Sequence, residues 1–208
     1  MEIFTDGMSR KQAHFLLDSI VCPRPIFLVS SQNEHGIANL APFSMSTIAS
    51  TRPPMICFSP VIRPDGREKD TLANIRETGD FVVNTVTENI LSDVLIAARN
   101  FPAGINELEH TKLTTAPGVR VKAHRVLESP VNMECILHQI IPLGDNSLVI
   151  GEVKVFHLED RVYTGRDLDA HKLTIIGRMG GSFFLRATEI FAKTDEWDLA
   201  ADLAVEKE

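Results

Sequence analysis

The feature that most narrows the possible folds is a succession of short runs rich in branched and aromatic residues, most of them closed by turn residues. They fall at residues 26–31, from 37 onward, and at 55–59, 81–86, 119–125, 132–141 and 148–158. Runs of this length and composition read as strands. Asn33-Glu34-His35-Gly36 and Gly144-Asp145-Asn146 supply hairpin turns, so neighbouring strands are expected to pair antiparallel. Helical patterns do not alternate with the strands as a parallel dinucleotide-binding sheet requires, and no G-x-G-x-x-G occurs. The expectation is a mainly β protein, a six- or seven-stranded antiparallel barrel with a few helices. With 208 residues and 44% hydrophobic content the chain can bury one full core, so a single domain is expected over 1–208, its core about 20–185.

Three helices are expected. Ser9-Arg10-Lys11-Gln12 matches a capping box ahead of Ala13, Leu16, Leu17 and Ile20, which places one at about 10–19. Asp70 or Thr71 can cap a second over 72–78, closed by Gly79. Thr87 can cap a third, with Ile90, Leu91, Val94, Leu95 and Ala98 as its apolar stripe. Pro42, inside the second strand run, implies an edge or a bulge that re-aims residues 43–47. Residues 100–118 lack clean periodicity and read as a long ordered loop, a lid or a dimer contact. The acidic tail 197–208 reads as a short docking helix or a frayed end.

Several chemistries are disfavoured. A net charge of −7 argues against a nucleic-acid surface. Cys22, Cys57 and Cys135 form no C-x-x-C, which fits a reduced cytoplasm better than a disulfide framework or a zinc ribbon. Cys57, inside an apolar strand, reads as core. Neither a signal peptide nor a membrane span is recognisable. The seven histidines lack metal-ligand spacing, and no G-x-S-x-G is present. Glu134 and His138, four apart on an expected strand, would share a face, either as an acid-base pair or as ordinary polar decoration. No catalytic side chain is assigned.

Residues 37–71 concentrate what remains. Ser44, Ser46, Thr47 and Ser59 either hydrogen-bond a phosphate or ribityl chain or simply decorate a strand. Lys69-Asp70-Thr71 brings a cation and a hydroxyl to a helix start, just after a loop bearing Arg63 and Arg67, and a helix start with such donors is an economical phosphate site. Asp70 would repel a phosphate it faced, so it is expected to cap the helix or orient Lys69. Hydroxyls, cations, glycines and aromatic surface together suit a cofactor that carries its own chemistry.

The series Pro23-Arg24-Pro25-Ile26, Asn39-Leu40-Ala41-Pro42-Phe43-Ser44, Pro53-Pro54, Lys69-Asp70-Thr71-Leu72-Ala73-Asn74-Ile75, Gly79-Asp80-Phe81-Val82-Val83-Asn84, Ser129-Pro130-Val131 and Ile150-Gly151-Glu152-Val153 resembles the flavin reductase-like family of FMN-binding split barrels. The likeness spans roughly residues 20–185. It implies an antiparallel split barrel, usually a homodimer, that holds FMN near the subunit interface. Carried over, Asn39, Leu40, Ala41, Ser44, Met45, Ser46 and Thr47 would line the ring and ribityl chain, and Ser59, Arg63, Lys69 and Thr71 the phosphate, with Asp70 beside them. Arg178-Met179-Gly180-Gly181 resembles the family's C-terminal R-x-G-G, which approaches the flavin. Where the family often has a Tyr, this chain has Ser182-Phe183-Phe184, so Phe183 could offer a ring but no phenol hydroxyl. The implied activity is an NAD(P)H:flavin reductase with NADH or NADPH as transient hydride donor. Its alternatives are a flavin-binding electron carrier and a flavin enzyme acting on an organic substrate.

Overall fold

A computed structural model describes residues 1–63, 66–102 and 104–191. The expected tail helix at 197–208 lies outside the described residues. In chain order the elements are α1 (Arg10–Ile20), β1 (Arg24–Pro25), β2 (Phe27–Gln32), β3 (Ala38–Phe43), β4 (Ser46–Thr51), β5 (Pro54–Phe58), α2 (Asp70–Thr78) and β6 (Asp80–Thr85). After a 3-10 turn at Glu88–Ile90 come α3 (Leu91–Ala97), a second 3-10 turn at Glu107–His110, β7 (Thr115–Ala116), β8 (Arg125–Val126), β9 (Val131–Leu143) and β10 (Asn146–Leu158). The last are α4 (Ala170–Leu173), β11 (Ile176–Arg178) and β12 (Phe184–Arg186).

Seven strands pair antiparallel in the order β3-β2-β6-β9-β10-β5-β4. β3 and β4 are therefore the two opposite edges of the sheet, yet only Ser44 and Met45 separate them in the chain. Three residue steps span at most about 11 Å of extended chain, so the sheet must curl until its edges nearly meet. Phe43 of one edge lies against Phe58 next to the other, ring centroids 4.8 Å apart, and Phe58 meets Phe81 edge-on at 5.6 Å. These rings, with Phe27, Leu72, Ile75 and Val149, form the core inside the curl. Gly151 is required there: a Cβ on it would sit 2.4 Å from the Phe81 ring. Pro42 stands on the edge strand β3, as its missing donor demands. The expected bulge is not found at that point; the strand ends at Phe43 and a new one starts at Ser46.

Of the run 119–125 only Arg125 lies in a strand, the two-residue β8. The run's backbone donors are taken by buried side chains instead of a neighbouring strand. Glu134 accepts from the Val119 and Arg120 amides at 2.7 and 2.6 Å, Asp80 from Lys122 and Ala123 at 3.0 and 3.2 Å, and Asn84 from Val126 at 2.9 Å. With its amides satisfied this way the segment gains nothing from a ladder. Glu134 is fully buried and bonds to His157 Nε2 at 2.6 Å, whereas His138 is exposed, so the two form no acid-base pair. In β9 the pairing steps from Gln139 to Leu137 opposite Ile150 and Gly151, so His138 is skipped by a bulge that breaks the alternation on which that expectation rested.

Helix ends also differ from expectation. The capping box at Ser9 and Gln12 forms. In α2 the N-cap is Lys69, neither Asp70 nor Thr71, and among the described residues no side chain caps it. Thr87 precedes a 3-10 turn and makes no side-chain cap bond. Cys57 is only half-buried, facing away from Ile56 and Phe58 on the same strand. None of the residues in α1 is buried, and its C-terminal carbonyls are held by Arg24, which donates to Asp18 and Val21 oxygens at 2.6 and 2.8 Å.

Candidate functional site

The near-junction of the sheet edges places β3, α2 and α3 around a set of connected hollows. One, of about 70 Å³, is lined by Asn39, Ala41 and Pro42 from β3, by Arg63, by Lys69, Asp70 and Thr71 at the start of α2, and by Ala97–Asn100, Phe101 and Glu107 opposite. A second, of about 190 Å³, is lined by Ile26, Pro42, Phe43 and Ser44, by Val94, Leu95 and Ala98, and by Arg178 and Phe184. Pro42 and Ala98 border both. A third, wide and apolar, runs between α1 and the Gly180-Gly181 turn and shares Phe184 with the second. The three are neighbours through these shared wall residues, the first lined mainly by polar groups and the third mainly by apolar ones.

The polar end is built by a buried network. Asn39 donates to Thr71 Oγ1 at 2.8 Å and to Ser31 at 3.4 Å, and Asn74 also reaches Ser31, at 3.3 Å. This ties the start of α2 to the edge strand. Arg63 pairs with Asp70 at 3.4 Å, so Asp70 orients Arg63; the expectation had been a cap or a contact to Lys69. Lys69 Nζ lies 5.8 Å from the centre of the Phe43 ring, within cation–π range. Burial, helped by the charge of Arg63, lowers the Lys69 pKa from the ordinary lysine value. Glu107, buried, accepts from the Leu40 amide at 2.9 Å. Burial pushes its carboxyl above the usual range, with Asp70 adding to the effect and the Leu40 amide opposing it.

The apolar end takes residues that the core leaves out. On α3 the buried positions are Val94 and Ala97, while Leu95 and Ala98 of the expected stripe stay exposed and line the second hollow. Arg178 stacks 4.6 Å over the Phe184 ring and donates to the Gly181 and Phe183 carbonyls. Gly180 is needed against α1, since a Cβ there would lie 2.9 Å from Ser19 Oγ.

The sequence-derived candidates divide accordingly. Asn39, Ala41, Arg63, Lys69, Asp70 and Thr71 converge on the polar hollow, Ser44 and Arg178 on the second, and Gly180, Gly181 and Phe183 on the third. Leu40 offers these hollows no side chain, being fully buried in the second core cluster. Met45, Ser46, Thr47 and Ser59 line none of these hollows. The Ser46 hydroxyl donates to Pro25 O at 2.9 Å, and the Ser59 hydroxyl to Ser147 O at 3.0 Å. Glu107 was missed. It sits in the aperiodic 100–118 stretch, where nothing in the sequence marks Glu107 apart from Glu109 and the other polar residues. Among the described residues no cluster of His, Cys, Asp or Glu could hold a metal, and no helix is long and apolar enough to cross a membrane.

Residues 19–171 match the flavin reductase like domain, so the chain belongs to the flavin reductase-like family. A curated relative from Aquifex aeolicus, an uncharacterized protein, is 36% identical over 173 residues, covering 83% of this chain and 88% of its own. Among solved structures, nitrilotriacetate monooxygenase component B from Bacillus cereus is similar with a TM-score of 0.89 and 32% identity, covering 93% of this chain and 98% of its own. The 2-nitrobenzoate 2-nitroreductase NbaA of Pseudomonas fluorescens gives 0.84 and 29%, covering 94% and 96%. The fold is the antiparallel split barrel of the flavin reductases, and the family is one of flavin-binding proteins.

Proposed function

We propose that the protein is an FMN-dependent oxidoreductase, most simply an NAD(P)H:flavin reductase using NADH or NADPH as transient hydride donor. The observation that carries this reading is that a hollow lined by Arg63, Lys69 and Thr71 lies beside an apolar one, with Pro42 and Ala98 lining both. The donor set at the polar end suits a phosphate monoester: Arg63, Lys69 and Arg99, a hydroxyl and an amide beside a helix start that no described side chain caps. Its volume of about 70 Å³ has room for one phosphate group.

Arg63, Lys69 and Thr71 hold the phosphate, and Pro42, Phe43 and Ser44 at the near-junction of the edges support the ring. When bound, FMN supplies the hydride-accepting centre; the chain supplies orientation and exclusion of water, with no side-chain acid or base required. The protein is taken as a cytoplasmic homodimer of single domains spanning 1–208. The exposed apolar side chains of Phe15 on α1 and Ile48 on edge strand β4 support a partner subunit.

Titration with FMN should yield a yellow protein that oxidises NADH or NADPH. A colourless protein that takes up no FMN and oxidises neither nucleotide sinks the proposal, and FMN binding without nicotinamide turnover points to an electron carrier. A second reading, reduction of an organic substrate, is favoured by the apolar second hollow with Arg178 at its wall and by the name of the nitroreductase relative. Screening organic acceptors against the reduced protein tests it.

A further inference from the structure

The polar hollow holds a carboxylate that an anion site does not need. Glu107 is buried in a cavity that also contains Arg63 and Lys69, and its Oε2 is fixed by the Leu40 amide of edge strand β3. The charged groups facing it are Arg63 from the preceding loop, Lys69 and Asp70 from the start of α2, and Arg99 at the end of α3. Arg63 is engaged by Asp70 at 3.4 Å, so an arriving phosphate would face two carboxylates as well as three cations.

We propose that Glu107 is a positioning residue that also ties phosphate binding to proton uptake. Its Oε2 holds β3 in register with the cavity, and its carboxylate takes a proton when a phosphate dianion settles beside Lys69 and Arg63. This rests on the assignment of the flavin phosphate to the same cavity. The chemistry is balanced: one proton from solvent adds to the carboxylate and no other bond changes. Two anions in one low-dielectric site raise each other's proton affinity; burial already opposes the charge of the carboxyl, while Lys69 and Arg63 favour the charge of the phosphate.

The test is calorimetric titration of FMN and of riboflavin in two buffers of different ionisation enthalpy, from pH 5.5 to 8. It is done on the wild-type protein and on Glu107→Gln, which keeps an acceptor for the Leu40 amide. The difference between the two proteins cancels any proton exchanged by the phosphate itself. The wild type should take up as much as one proton more than the variant on binding FMN, and no more than the variant on binding riboflavin. The variant should bind FMN about threefold to tenfold more tightly near pH 8, converging with wild type toward pH 5.5. A Glu107 that only braced the strand would leave the proton count unchanged. If the variant does not fold, the wild type alone decides: at pH 7.5 free FMN is nearly all dianion, since the second phosphate pKa is about 6. FMN must then take up more proton than riboflavin. Equal proton counts with FMN still preferred over riboflavin overturn the role of Glu107 alone; equal affinity for FMN and riboflavin overturns the phosphate assignment with it.

Discussion

Two polar regions of this barrel, each built around acidic side chains, come out opposite. Behind β6 and β9, Asp80, Asn84 and Glu134 each meet backbone amides of the 119–126 segment, and Asn132 closes the set by donating to Asn84 and the Val126 carbonyl, both at 2.9 Å. There every carboxylate has its donors inside the protein. In front of β3, Arg63, Lys69, Asp70 and Glu107 share a hollow in which lysine and glutamate are both pushed toward their neutral forms. That region is poised for a further charge. Buried polar groups satisfied within the fold stabilise it, whereas those left in tension by it mark where a ligand completes the structure.

The sharpest break between the two comes from deletion. Glu134→Ala should cost about 3–5 kcal/mol of stability, because it strands two amides and His157 in a buried setting. The denaturation midpoint reads this, and FMN affinity in the surviving folded fraction should be unchanged. Lys69→Ala should do the reverse. It removes a charge-assisted bond worth about 1.5–3 kcal/mol, so FMN should bind roughly tenfold to a hundredfold more weakly, with little change in midpoint. Lys11→Ala, a cation on exposed α1, is the control. Equal FMN affinities for the two lysine variants would remove the phosphate from this hollow.

Acidity should separate the regions with opposite signs. For Glu134, burial is the largest single influence and raises the pKa, but the Val119 amide, His157 and the Arg120 amide together outweigh it and hold the carboxyl below the usual range. Its contribution is present above the unfolded value and is lost as pH falls through the folded one. For Glu107 the folded pKa is raised, so the folded state binds more protons than the unfolded state between the two values. Stability then rises as pH falls through the folded pKa and levels off below the unfolded one. Measured against Glu134→Gln and Glu107→Gln, the two wild-type-minus-variant differences should slope in opposite directions; parallel slopes would abolish the distinction.

The contrast also shows what was legible in the chain. Strand runs with hairpin turns were readable because alternation and turn chemistry are local, and so was Pro42 on an edge; that Asn39 joins Lys69 and Thr71 was not. The segment 119–125 was misread because its composition is strand-like while its hydrogen-bond partners, Glu134 and Asp80, lie on distant strands. Glu107 was missed for the same reason: its partner is the Leu40 amide, 67 residues away. His138 shows a further limit, since a skipped residue in a ladder interrupts the alternation without any mark in the composition.

The smallest expected effect tests how far the functional hollow extends. Ser59 has the residue type for a phosphate site, but its hydroxyl already donates to Ser147 O at 3.0 Å and accepts from Asn146 Nδ2 at 3.3 Å. These bonds tie the end of β5 to the start of β10, which places Ser59 with the satisfied groups and apart from Lys69. Ser59→Ala should lower stability by about 0.5–1.5 kcal/mol, one hydrogen bond's net worth. FMN affinity should stay within about threefold of wild type, less than 1 kcal/mol on the scale where 1.4 kcal/mol is tenfold. If instead Ser59→Ala weakens FMN as much as Lys69→Ala does, its hydroxyl must turn from Ser147 to the ligand. The boundary between completed and poised polar groups would then run through the β5–β10 pair, and the phosphate would sit on the far side of Arg63 from Glu107.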